Sequence, residues 1–101
     1  MTGYLVKGNF VYKRDGTLIG RIERGEVCDQ HGQPFFRLKG SDISNMYGST
    51  IAKVDKGKVL STSGGVLGSV SDARRSFDNS NSMQDVEVSA LWLAFIKGMG
   101  R

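Results

Sequence analysis

Three features of the sequence predict an all-β fold closed by one C-terminal helix. A 16-residue unit recurs four times without a gap, a glycine holds the same place in every copy, and a helical apolar stretch is confined to the end of the chain. Cut at Asn9, the units are 9–24, 25–40, 41–56 and 57–72.

Within the unit the eighth position is Gly16, Gly32, Gly48 and Gly64, which marks a turn where the backbone needs positive φ. The third position is Val11, Val27, Ile43 and Val59. The eleventh is Ile19, Phe35, Ile51 and Leu67, and the fourteenth is Ile22, Leu38, Val54 and Val70. These twelve side chains are the predicted core. Each unit reads as a short strand, a tight turn ending in glycine and a longer strand, so four units give eight strands in an antiparallel meander. Arg24-Gly25, Lys39-Gly40 and Lys56-Gly57 supply the turns between units. Positions eleven and fourteen have opposite parity in a flat strand, which predicts a bulge near the twelfth, where Gly20, Ala52 and Gly68 are small and Phe36 is not. Residues 3–8 extend the register backwards as a half unit, with Val6 in the fourteenth column and Gly8 matching Gly40, and this extra strand is expected at the seam. A lone hairpin is marginal and open edges invite aggregation, so closure of the units around an axis is the expected architecture.

At 101 residues the chain forms one domain. Its formal charge of +4 permits weak attraction to polyanions without marking a nucleic-acid site, because the nine bases and seven acids of residues 9–72 are interspersed. Cys28 is the only cysteine, which excludes an intramolecular disulfide and points to a reducing compartment such as the cytoplasm. No apolar stretch approaches the roughly 18 residues of a membrane span, and the first residues lack the apolar core of a secretion signal.

Four ungapped units with a turn glycine and paired aliphatic columns resemble the bacterial four-fold beta-flower family over residues 9–72. The resemblance implies four short β-hairpin petals about a pseudo-four-fold axis. It implies an architecture rather than an activity.

Residues 73–82 abandon the repeat and read as a polar connection. Ser82 and Asp85 have capping-box spacing, and the run that follows predicts a helix over 83–97 within a C-terminal region 83–101. From Ala90 to Ile96 that helix is apolar on all faces, so more than one side needs a partner. It serves as a lid on the flower, or it pairs with a second chain or another protein through Val88, Leu91, Trp92, Phe95 and Ile96. A membrane-surface role is disfavoured by the missing basic face.

Chemistry-bearing side chains are few. The seventh column is Asp15, His31, Tyr47 and Ser63, which suggests a hydrolase in which Ser63 and His31 act with Asp15; polar turn chemistry explains the same column more simply. His31 and Cys28 find no second Cys or His to complete a metal site. Arg21, Arg37 and Lys53 in the thirteenth column would form an anion-binding collar, with nucleic acid as a further possibility for the basic positions of the ring. No phosphate-binding glycine motif sits between a strand and a helix, so no nucleotide cofactor is expected. The leading expectation is a non-enzymatic binding or scaffolding module without metal or cofactor, which self-associates or binds a protein through its C-terminal helix.

Overall fold

The computed structural model describes residues 3–98. It contains nine antiparallel strands in strict sequential order, β1 Tyr4–Lys7, β2 Phe10–Lys13, β3 Leu18–Glu23, β4 Glu26–Asp29, β5 Pro34–Lys39, β6 Asp42–Asn45, β7 Thr50–Asp55, β8 Lys58–Ser61 and β9 Val66–Ser69. Two helices follow, α1 Val70–Ser76 and α2 Asp85–Leu91, and α2 runs on into a π turn over Trp92–Ile96.

The repeat is written in backbone hydrogen bonds as well as in residue types. In all four units the amide of the fourteenth residue donates to the carbonyl of the first: Ile22 to Asn9 at 2.9 Å, Leu38 to Gly25 at 2.7 Å, Val54 to Ser41 at 2.9 Å and Val70 to Gly57 at 2.9 Å. In each hairpin the fifth residue's amide donates to the ninth residue's carbonyl, and the eighth residue's amide returns to the fifth residue's carbonyl. This is a type I turn closed by a left-handed residue, and Gly16, Gly32, Gly48 and Gly64 hold φ between 82° and 95° as the turn requires. Fifth-position side chains tighten the later loops: Asp29 Oδ1 accepts from the amides of His31 and Gln33, and Asn45 Oδ1 from those of Tyr47 and Ser49.

The turns between units fall into two kinds. Arg24-Gly25 and Lys56-Gly57 carry positive φ at both residues, so an arginine and a lysine occupy the left-handed region at 52° and 49°. The second unit boundary turns on Gly40-Ser41, one residue later than Lys39-Gly40, because β5 extends through Lys39 and glycine takes the first loop position. Gly8-Asn9 follows the same form with Gly8 at 62°.

A bulge occurs in every unit, at the eleventh residue. Val11 pairs with Gly20 but Tyr12 with Leu18, so Ile19 is skipped; Phe35, Ile51 and Leu67 are skipped in the same way. The predicted core changes accordingly. Columns three and fourteen point inward, with Val11, Val27, Ile43 and Val59 fully buried and Ile22, Val54 and Val70 nearly so, while Leu38 is half-buried. The bulge puts the twelfth column, Gly20, Phe36, Ala52 and Gly68, on that inner face and leaves Ile19, Phe35 and Ile51 of the eleventh half-buried and Leu67 exposed, against their expected place in the core. The half unit behaves as its register suggests: β1 pairs with β2, Val6 opposite Val11, and Val6 is 2% exposed.

Among the described residues β1 and β9 do not pair with each other, and each end of the sheet is covered differently. Asp78 runs beside β1, accepting from Val6 N at 2.9 Å and donating to Tyr4 O at 3.1 Å. At β9 the Ser69 amide donates to the Asp72 carboxylate and Ser69 Oγ accepts from Asp72 N, a capping box that turns the chain into α1. Residues 70–76 are therefore helical where a polar connection is expected from 73. The signal was present as Ser69 and Asp72 at capping-box spacing. The remaining link is held by Arg74, which donates to Ser80 O, Met83 O and Asp85 Oδ1. The α2 boundary uses Gln84 and Glu87 rather than Ser82 and Asp85, with Gln84 N donating to Glu87 Oε1 at 2.8 Å.

The uniform apolarity of the last helix follows from its place. It packs against β5, β6 and β7 on one side and α1 on the other, and Val88, Ala90, Leu91 and Leu93 are all fully buried. No helix among the described residues is long and apolar enough to cross a membrane.

Candidate functional site

The inner face of the sheet is shaped to receive the helix. A Cβ placed on Gly68 would lie 2.2 Å from Trp92 Cη2, and one on Gly20 would lie 2.5 Å from Phe95 Cζ. The two glycines leave holes that two aromatic rings fill, while Phe36 and Ala52 supply side-chain volume in the same column. Phe95 also meets Phe35 edge-on, with ring centroids 5.7 Å apart. The Lys97 ammonium lies 4.9 Å from the centroid of the Trp92 ring. A π turn here widens the last turn, with Lys97 N donating to Trp92 O at 3.0 Å.

Of the five helix residues with an expected interface role, Val88, Leu91 and Trp92 lie inside the chain at 0%, 0% and 5% exposure. Phe95 is half-buried at the rim and Ile96 emerges at 38%. Ile96 stands four residues after Trp92 in the π turn, and the Trp92 ring rests on Gly68 of β9. There Val66 is 61% and Leu67 36% exposed, and neither was expected as a surface contact. Leu67 is the residue skipped at the bulge of β9, and Val66 belongs to the tenth column, which is exposed at Pro34 and Thr50 as well. Tyr47, 94% exposed at the third turn, and Phe10 on β2 are the other large apolar side chains at the surface among the described residues.

The thirteenth column points outward, as alternation with the inner columns demands. Arg21, Arg37 and Lys53 stand on β3, β5 and β7, two strands or roughly 10 Å apart. Arg21 pairs with Glu23 at 2.9 Å and Arg37 with Glu26 at 3.2 Å, while Lys53 lies opposite Asp42 in the register. Each cation thus faces a carboxylate of its own surface rather than a common centre.

The seventh-column residues are similarly occupied at separate turns. Asp15 accepts from Thr17 N at 2.9 Å, and hydrogen bonding to Thr17 holds its carboxyl below the usual range. Ser63 Oγ contacts Ser61 Oγ at 2.9 Å, and His31 is exposed at the second turn. Burial, with Glu26 adding repulsion, pushes the Cys28 thiol up, so it remains protonated and poorly nucleophilic at neutral pH. Among the described residues no group of three or more His, Cys, Asp or Glu could hold a metal ion.

At the far end of the helix, Asp85 and Val86 face the turns Gly40-Ser41 and Lys56-Gly57 across an open cleft of about 370 Å³. Asp85 is bound to Arg74 at 2.8 Å, which leaves Lys56 as the charged side chain at the opposite wall.

No protein-family model, curated protein or solved structure matches this chain.

Proposed function

We propose that the protein is a non-enzymatic binding or scaffolding module, which associates with itself or with a protein partner at the end of its C-terminal helix. One observation carries the reading: of the five exposed large apolar side chains among the described residues, Val66 and Leu67 stand on β9 and Ile96 on the π turn whose Trp92 fills the space above Gly68 of that strand. A surface of this kind is the usual mark of a contact site. The rest of the helix acts as the plug that makes the platform rigid, so the association element narrows from the whole helix to its last turn and the neighbouring strand.

The four-petal architecture of the beta-flower family is part of the same proposal. It is supported by the identical bond from the fourteenth to the first residue in every unit. It is also supported by the end strands, since β1 occupies repeat positions twelve to fifteen and β9 positions ten to thirteen, which together make one long strand's register. A bacterial cytoplasm suits the single buried thiol.

The test is an Ile96→Asp chain compared with the parent for solution mass by light scattering and for proteins retained by the immobilised chain. Because Ile96 is partly exposed, the melting temperature should hold while self-association or partner retention falls. Unchanged behaviour in both assays would refute the proposal.

A further inference from the structure

We infer that the outward face of β1, β2 and β3, on the side of the sheet away from the helix, binds single-stranded nucleic acid. The repeat supplies an internal comparison. On this face the second position of a unit pairs across the strands with the thirteenth, and in the second and third units an acid there meets a base, Glu26 opposite Arg37 and Asp42 opposite Lys53. In the first unit the acid gives way to Phe10, which is 41% exposed between Arg21 on β3 and Lys7 on β1. The fourth position, Cys28, Ser44 and Leu60 in the later units, is the half-buried Tyr12 in the first, with the Lys7 ammonium 5.7 Å from its ring centroid. Two aromatic rings thus share one face of β2, and no other unit has an aromatic residue in either column.

Charge divides the molecule in the same way. Residues 1–24 hold five Lys and Arg against two acids, Asp15 and Glu23, whereas residues 25–101 hold nine against eight. Asp78 binds Arg14 and Glu23 binds Arg21, and among the described residues Lys7, Lys13 and Arg24 have no ion pair. The signs interspersed along the repeat therefore leave a basic first unit. An anion held by cations alone would gain nothing from rings in these two columns. A chain of phosphates with a base on every unit meets both kinds of group, its phosphates at the cations and its base faces on the rings. Phe10 and Tyr12 stand two residues apart on one strand, roughly 7 Å, which suits successive bases of an extended strand, whereas a duplex keeps its base faces stacked inside.

Fluorescence anisotropy of a short labelled oligothymidylate, titrated with the full chain at low salt and then over a salt series, tests the inference. Phe10→Leu keeps an apolar side chain but removes the ring, and should weaken binding roughly tenfold, the loss of one stacked base. Phe10→Glu writes the second unit's residue into the first, which a 41% exposed site tolerates, and should weaken it further; circular dichroism verifies the fold of each variant. Lys7→Ala should make the logarithmic salt slope shallower by about 0.7, one phosphate contact on a single strand. Tyr47→Ala, which removes a 94% exposed ring from another petal, should leave the affinity unchanged. No binding at low salt, a Phe10→Leu chain equal to the parent, or an equal loss from Tyr47→Ala would each overturn the inference. So would polyglutamate or the duplex competing as well as the single strand, since either would show a site for charge alone. Ile96→Asp should bind the oligonucleotide like the parent, so this site and the association at the helix end stand or fall separately.

Discussion

Gly68→Ala probes the fit between helix and sheet through the sign of its effect. Gly68 is not in the left-handed region, so its backbone accepts alanine, and restriction of the unfolded chain alone would raise stability by about 0.4–1 kcal/mol. The contacts argue the reverse. The new Cβ would stand 2.2 Å from Trp92 Cη2 and 2.9 Å from Cζ3, whereas carbons rest about 3.5–4.0 Å apart, so the ring must withdraw by more than an ångström from a site where it is 5% exposed. Overpacking of this kind costs about 1–3 kcal/mol, and at roughly 4 °C or more per kcal/mol the melting temperature should fall measurably. Urea unfolding followed by far-ultraviolet circular dichroism is the assay, since Trp92 is the sole tryptophan and its fluorescence reports on the perturbed site itself. A double variant with Trp92→Leu separates a local clash from general damage. The smaller side chain gives the methyl room, so the two losses should combine to less than their sum by about 1 kcal/mol. Stabilisation by Gly68→Ala, or strict additivity in the double variant, would refute the plug-and-hole reading.

Ser89 is fully buried in α2 and its hydroxyl has no hydrogen-bond partner among the described residues, a condition that costs about 1–3 kcal/mol. Ser89→Ala should therefore raise the urea midpoint, and a loss of stability would show that the hydroxyl is satisfied by bound water. Hydrogen bonds from Arg75 and Ser69 hold the Asp72 carboxyl below its ordinary value of 3.8. The stability it contributes is present above that value and is lost as pH falls through the lower folded pKa. Thermal melts below about pH 4 should accordingly show a shallower decline for Asp72→Asn than for the parent, and parallel curves would remove Asp72 from the acid response.

How much of this could be read in advance differs between the scaffold and the surface it presents. Arg21, Arg37 and Lys53 were recognisable as equivalent positions, and Glu23 stands near Arg21 in the sequence itself, but the carboxylates facing Arg37 and Lys53 become evident only once Glu26 and Asp42 lie across the strands. Ile96 was legible as an apolar helix residue; that it emerges while Leu91 and Trp92 vanish into the core depends on which helix face meets the sheet. Leu67 was expected in the core and is instead exposed at the bulge of the last strand, while Val66 belongs to a column that is exposed at Pro34 and Thr50 too.

By itself the sequence determined the hairpin repeat. Glycines every sixteen residues set the hairpins, the third and fourteenth columns set the inner face, and the half unit at residues 3–8 set the register of β1. Only the tertiary structure decided that the bulge falls on the eleventh residue, which moves the twelfth column inward. It also decided that Trp92 and Phe95 fill the space above Gly68 and Gly20. Turn and pairing preferences act between residues close along the chain and repeat with it, whereas a hole in a sheet is filled by whichever ring the fold delivers, from residues far away in sequence and outside the repeat.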